Sequence, residues 1–264
     1  MVRVRNVREQ PTAPAPAALV LANLCKSFGA KRAVDNLTLS VPSGSMFGIV
    51  GPNGAGKTTT LSMATGLLRP DYGTAFVLGH DVWSDPAGAK ALMGVLPDGM
   101  RMFDRLTGRE MLRMVGRLRR LAPEVIDARL GSLLEVLSLS ADADTMVCDY
   151  SAGMTKKIGL ACALLHAPKL LILDEPFEAV DPVSGQAIRE ILREFVAGGG
   201  TVVMSSHVME LVESLCDALA IIAHGRILSV GTLDEVRSGR SLQDRFVDLV
   251  GGAASTEGLS WLRS

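Results

Sequence analysis

Gly51-Pro52-Asn53-Gly54-Ala55-Gly56-Lys57-Thr58-Thr59 decides the reading of this chain, because it has the form GxxxxGKS/T and lies between an apolar run, Met46 to Val50, and a helical stretch, Thr58 to Leu68. Glycines at 51, 54 and 56 let the backbone turn tightly and aim successive N–H groups at phosphate oxygens, where the dipole of the following helix adds positive potential. In such a loop Lys57 reaches the outer phosphates and Thr58 offers its hydroxyl to Mg²⁺, with Pro52, Asn53, Ala55 and Thr59 completing the cradle. The competing reading, a glycine-rich turn without a ligand, does not account for the strand before and the helix after.

Working outward, β-like runs at Ala18–Ala22, Leu37–Val41, Met46–Val50 and Thr74–Leu78 are separated by Gly, Pro and Asn turn signals. Later runs at Leu170–Leu173, Thr201–Met204, Ala218–Ile222 and Ile227–Val230 are apolar on both faces, as expected of strands buried in a parallel sheet. Between the two sets, Ala87 to Leu165 reads as helical. Thr107 with Glu110 forms a capping box that starts a helix at Gly108, and Ile126, Leu130, Leu133, Leu134 and Leu137 recur at helical spacing as a packing stripe. Met1 to Ala17, with Arg3, Arg5 and Arg8 among prolines and alanines, reads as a flexible arm.

Composition sets outer bounds. The 264 residues are 48% hydrophobic, enough for a sizeable core, and 27 basic against 28 acidic residues leave a net charge of −1. No global field then draws the chain to nucleic acid or anionic lipid, and no nucleic-acid partner is expected. Four dispersed cysteines without CxxC, and four histidines without metal-ligand spacing, argue for reduced thiols in the cytosol and against a zinc site. No window approaches 18 uncharged apolar residues, so any membrane role is expected to run through a partner.

Leu170-Leu171-Ile172-Leu173-Asp174-Glu175 is an apolar strand ending in two carboxylates, the usual complement of a phosphate loop. Asp174 would bind Mg²⁺, directly or through water, and Glu175 would orient and polarise an attacking water.

With these residues the chain, from about Leu19 to Gly252, resembles the nucleotide-binding domains of ATP-binding cassette (ABC) proteins. Tyr150-Ser151-Ala152-Gly153-Met154 is similar to the family's signature loop, Ala179-Val180-Asp181-Pro182 to its D-loop, and Ser206-His207 to its switch histidine. Phe28 falls where the family places an aromatic that stacks on adenine. The resemblance implies an α/β fold: a P-loop NTPase (RecA-like) core with a mostly parallel sheet, an N-terminal antiparallel β subdomain and an inserted α-helical subdomain at about 87–165. It would make 18–250 one ATPase domain followed by a tail at 251–264. ATP and Mg²⁺ are the implied cofactors. Lys57, Glu175 and His207 are the implied catalytic groups, Thr58, Asp174 and Asp98 the implied metal ligands, and Ser151, Gly153 and Asp181 the implied contacts to nucleotide across a dimer.

Four departures from the family pattern stand out. Asp98 occupies the region of a Gln that links metal to the helical subdomain, Ala152 and Met154 replace a signature glycine and glutamine, and Ala179-Val180 replaces Gly-Leu. The acidic stretch Asp142, Asp144 and Asp149 before the signature is a further peculiarity. The resemblance further implies a second ABC subunit, expected to be an identical copy, and a separate membrane permease that holds the chain at the cytoplasmic face of the cell membrane. The tail, Gly231 to Val236 and Ser241 to Phe246, resembles exporter ATPases of the ABC-2 type, and the lack of a long regulatory extension weakens an importer reading. Soluble cofactor-assembly or repair ATPases, and a cassette that binds ATP without turnover, are the alternatives.

Overall fold

The computed structural model of the protein describes residues 16–99 and 102–251. The expected N-terminal arm with its arginines and the expected tail fall outside these residues, apart from Pro16, Ala17 and Gly251 at the margins.

The chain runs β1 (Ala17–Phe28), β2 (Lys31–Pro42), β3 (Met46–Val50), α1 (Lys57–Ala64), β4 (Tyr72–Val77) and β5 (His80–Asp81). It continues through α2 (Pro86–Leu92), β6 (Met93–Leu96), α3 (Gly108–Leu118), α4 (Pro123–Val136) and α5 (Ala152–Leu164). Then come β7 (Leu170–Leu173), α6 (Pro182–Ala197), β8 (Thr201–Ser206), α7 (Met209–Leu215), β9 (Ala218–Ala223), β10 (Arg226–Thr232), α8 (Leu233–Arg237) and α9 (Leu242–Val250). One sheet is antiparallel with order β2-β1-β4-β5, and the other has six strands in the order β10-β9-β3-β8-β7-β6.

Strands β3, β7, β8 and β9 pair in parallel and are almost wholly buried, as their two-sided apolar character predicts. Side chains alternate across the sheet, so Met46 and Val50 join the core beneath the helices while Phe47 and Ile49 join the core shared with β1, β2 and α1. Two sequence expectations need correction. The run Ile227–Val230 does not lie in the buried parallel part: β10 is an antiparallel edge strand paired with β9, with Leu228 and Val230 exposed. Residues 87–165 are not helical throughout, because Met93-Gly94-Val95-Leu96 forms β6, parallel to β7. Four residues are too few to show a period, and the helical pattern on either side hides them.

Local signals start the helices. Thr107 and Glu110 make both bonds of the capping box at α3, Ser151 caps α5 through the Met154 N–H, and Asp181 caps α6 ahead of Pro182. The cysteines are free, and burial pushes the Cys162 and Cys216 thiols up to about 12, which leaves them inert at neutral pH. Among the described residues no helix is long and apolar enough to cross a membrane.

Helix α5 lies so close to β6 that a Cβ on Gly94 would come 2.1 Å from the Ala163 carbonyl oxygen. Beside this contact His166 bonds the Met93 carbonyl through Nε2 at 3.0 Å, while its Nδ1 is buried without a partner. Arg119 donates to the Lys90 carbonyl and Arg129 to that of Leu165, at 2.9 Å for the latter, so these groups tie the end of α3 to α2, α4 to the end of α5, and the end of α5 to β6. Burial, reinforced by Arg119, holds the His166 imidazole down to about 4 from its ordinary 6.5.

Two outcomes follow from this junction. Gly94→Ala should lower Tm by roughly 2–12 °C, the equivalent of about 1–3 kcal/mol of overpacking, in a thermal melt. Gly131→Ala, on the exposed face of α4 with nothing within 4 Å of the added methyl, should raise Tm slightly. For His166, the unfolded chain takes up its proton near pH 6.5 and the folded chain only near 4. The neutral ring therefore contributes stability above pH 6.5 that drains away as pH falls towards 4. His166→Gln should flatten the acid limb of Tm against pH in that window; an unchanged slope would refute the assignment.

Candidate functional site

Parallel pairing brings three loops to one edge of the sheet. Val50 stands opposite Ser206 and Leu173 opposite Met204, so the carboxyl ends of β3, β8 and β7 finish side by side. This is where open α/β sheets bind ligands.

From β3 the chain turns through Gly54 and Gly56, at φ 80° and 105°, into α1. Gly56 has a further constraint, since a Cβ there would stand 2.5 Å from the Ala33 carbonyl oxygen. It precedes α1 without any side-chain cap, which leaves the first N–H groups of that helix available. Lys57, 7% exposed, folds back so that Nζ bonds the Gly51 carbonyl at 2.8 Å and lies 3.7 Å from Glu175 Oε1.

From β7 come Asp174 and Glu175. Asp174 is buried, and the Ser205 hydroxyl donates to its Oδ1. The same hydroxyl accepts the Glu175 N–H at 2.9 Å. Glu175 itself sits at φ 46°, a left-handed conformation costly for a residue with a side chain and typical of functional loops. From the end of β8, His207 Nδ1 meets Glu175 Oε2 at 3.0 Å.

These groups line an open cleft of about 510 Å³ that holds Pro52 through Thr59, Asp98, Glu175 and His207, with Phe28, Lys31, Ala33 and Glu178 completing its wall. Gly51 lies beneath it as the acceptor for Lys57, and Asp174 is sunk behind it. Phe28 is half exposed at the rim rather than part of a core, with the Lys26 ammonium 5.9 Å from its ring centroid. Asp98 reaches the cleft, but its Oδ1 accepts the Gly99 N–H at 2.8 Å and faces Lys156 Nζ at 3.5 Å. Among the described residues no cluster of three or more His, Cys, Asp and Glu could cage an ion alone. The nearby oxygens of Thr58 and Asp174 are hard donors of the kind Mg²⁺ takes when phosphates and waters supply the remaining ligands.

Ser151, Gly153 and Asp181 do not line this cleft. They gather at the starts of α5 and α6, where a Cβ on Gly153 would touch the Ala179 carbonyl oxygen at 3.0 Å. Asp181 bonds the N–H groups of Val183 and Ser184, both at 3.0 Å, and the hydroxyl and N–H of Ser184 hold its carboxyl below the usual carboxylate range. The acidic stretch is partly absorbed within the chain. Asp144 makes a two-pronged bond with Arg109, at 2.8 and 3.0 Å, and the Asp142 carbonyl takes the Tyr150 hydroxyl at 2.8 Å.

Sequence reasoning missed Ser205 and Lys156. The signal for Ser205 was a hydroxyl closing an apolar buried strand; Lys156 carried none, since one lysine on a helix looks like any other.

Comparison with known proteins agrees with this geometry. Residues 34–178 match the family model described as ABC transporter. The daunorubicin/doxorubicin resistance ATP-binding protein DrrA of Streptomyces peucetius is 38% identical over 87% of this chain and 68% of its own length. The Nod factor export ATP-binding protein I of Sinorhizobium fredii is 40% identical over 81% of this chain and 62% of its own length. For the linearmycin resistance ATP-binding protein LnrL of Bacillus subtilis the values are 37%, 82% and 70%. A solved structure of an ATP-binding subunit of an ABC transporter superposes with TM-score 0.83 at 30% identity, covering 89% of this chain and all (100%) of that one. A matched family model, relatives similar over most of this chain and a superposable fold agree with the converging strand ends: this chain belongs to the ABC transporter family, as an ATP-binding subunit.

Proposed function

We propose that two copies of this chain hydrolyse ATP at shared sites and thereby drive export through a separately encoded membrane permease. The observation that carries this reading is the division of the site: Lys57, Glu175 and His207 converge on one cleft, whereas Ser151 and Gly153 stand on another part of the same chain. A head-to-tail pair about a two-fold axis brings the capped N-terminus of α5 from one copy over the phosphates held by the other, giving each site donors from both. The names of the relatives, which concern drug resistance and Nod factor export, support the export direction.

Within one site, Lys57 leaves the Gly51 carbonyl for the outer phosphates, and the N–H groups of residues 53–58 surround them. Glu175 orients the attacking water, whose oxygen bonds to the γ-phosphorus as the bridge to the β-phosphate breaks, releasing ADP and phosphate. His207 fixes the Glu175 carboxylate from its far oxygen and offers its ring to the γ-phosphate. Ser205 holds the Asp174 carboxylate and the Glu175 backbone N–H from below. Bound Mg²⁺, held by Thr58 and Asp174, would neutralise phosphate charge. Phe28 offers a ring face to adenine. Closure of the pair excludes water and strengthens these charges, and hydrolysis reopens it.

The permease meets the chain on the helical subdomain. A groove of about 560 Å³ along α3, lined by Leu106, Arg113, Met114 and Leu118, offers the surface for its cytoplasmic segment. That contact holds the chain at the cytoplasmic face of the membrane.

Glu175→Gln should cut ATP turnover by about 10²–10⁴-fold while ATP still binds. Turnover near the wild-type rate in that variant would overturn the hydrolytic assignment. Ser205→Ala leaves a buried Asp174 oxygen without its donor, so kcat should fall about tenfold with little change in ATP affinity.

A further inference from the structure

Lys156 touches the catalytic loop from the helical side. It lies on α5, five positions after Ser151, and is largely buried, its side chain 15% exposed. Its Nζ bonds the Glu175 carbonyl at 3.0 Å and the Asp174 carbonyl at 3.4 Å, and faces Asp98 Oδ1 at 3.5 Å. An ammonium has three donors, and all are committed. The Asp174 and Glu175 carbonyls follow the last residue of β7, Leu173, so Lys156 bonds backbone just beyond the parallel ladder. Asp98, two residues beyond the end of β6, lines the ATP cleft itself.

One side chain therefore joins a cleft residue, the backbone that bears Glu175, and the helix whose first turn carries Ser151 and Gly153. The link into that turn is short and rigid. The Ser151 hydroxyl accepts the Met154 N–H at 3.2 Å, and the Thr155 hydroxyl donates to the Ser151 carbonyl at 3.0 Å, so the start of α5 moves with the body of the helix. The carboxylate at 98 adds negative charge to a cleft built for anions, and Lys156 offsets it.

We propose that Lys156 is a positioning residue that couples the two shared sites: through its pair with Asp98 and its hold on the Asp174 and Glu175 carbonyls, it sets the Ser151 turn that one copy presents to its mate according to the state of its own cleft. A change in the position of Asp98 on ATP binding alters one of three bonds that pin α5, and the turn some five residues away shifts with the helix. This inference rests on the paired-cassette reading above.

The test separates the two. In full-length chain carrying Glu175→Gln, ATP-driven dimerisation is measured by light scattering, and ATP affinity by a fluorescent ATP analogue at concentrations where the chain is monomeric. If Glu175→Gln alone never dimerises, the paired-cassette reading falls, and the coupling with it. If it dimerises, adding Lys156→Met should weaken dimerisation about tenfold, within the roughly 5–150-fold span of site coupling, with ATP affinity of the monomer changed less than about twofold. Lys156→Arg should restore most of the loss. Asp98→Asn, which breaks the pair without altering α5, should weaken dimerisation in the same direction, and the double variant should be no worse than the stronger single one. Unaltered dimerisation in Lys156→Met, or losses that multiply in the double variant, would show that the two side chains act independently and would overturn the coupling.

Discussion

Everything chemical in this protein depends on the parallel register of β3, β8 and β7. Because these strands run the same way and end within two residues of one another, three chain segments far apart in sequence deliver a glycine turn, two carboxylates and an imidazole to one edge. A shift of one residue in β7 would reverse the faces of its side chains, putting Leu173 where Asp174 now sits and displacing Glu175 from the cleft. The apolar character of these strands on both faces is what fixes the register. Helices cover one side and the antiparallel sheet with α1 covers the other, so no slipped pairing keeps both cores filled.

The register brings like charges together, and the local structure manages them. Asp174 and Glu175 are adjacent in sequence, yet their carboxylates have different surroundings. Asp174 is buried against the Ser205 hydroxyl, whereas Glu175 turns through a left-handed backbone towards Lys57 and His207. The unusual φ of Glu175 is what separates the two side chains, and the Ser205 hydroxyl helps to hold it by accepting the Glu175 N–H. Lys57 meanwhile has three oxygen partners, the Gly51 and Pro52 carbonyls and the Glu175 carboxylate, with which phosphate oxygens would compete. A bound triphosphate exchanges these contacts for stronger charge-assisted ones without requiring the loop to refold.

How much of this was legible in the sequence depends on whether the signal was local. The glycine turn, the capping box at Thr107 and Glu110, the Ser151 cap and the all-apolar strands were readable because each rests on neighbouring residues and a known period. Strand β6 was not, since four residues show no period and Gly94 is there for its close approach to Ala163, a contact between distant segments. The edge position of β10 was hidden for a related reason: Ile227, Leu228 and Val230 look like core, but their exposure is set by which strand lies beside them. At the site, residues in motifs were visible, while Ser205 and Lys156 were not, because each acts by bridging elements that only the fold brings together.

The departures from the family pattern gain a physical account in the same way. A carboxylate at 98 beside a phosphate cleft would by itself repel the ligand, and a cassette that binds ATP without turnover is one alternative that the sequence leaves. Lys156 lies 3.5 Å from that carboxylate, so the pair presents a near-neutral unit to the cleft. Ala152 likewise adds a methyl at an exposed first-turn position of α5, while Gly153, the residue pressed against the Ala179 carbonyl, keeps its glycine. Asp98 and Ala152 thus fall where charge is matched or the position is exposed, whereas Ala179, standing where the family has glycine, takes φ 59° in the left-handed region that favours glycine. The positions where neither holds, Gly56 in the phosphate turn and Gly153 in the signature turn, retain the residue that the geometry demands.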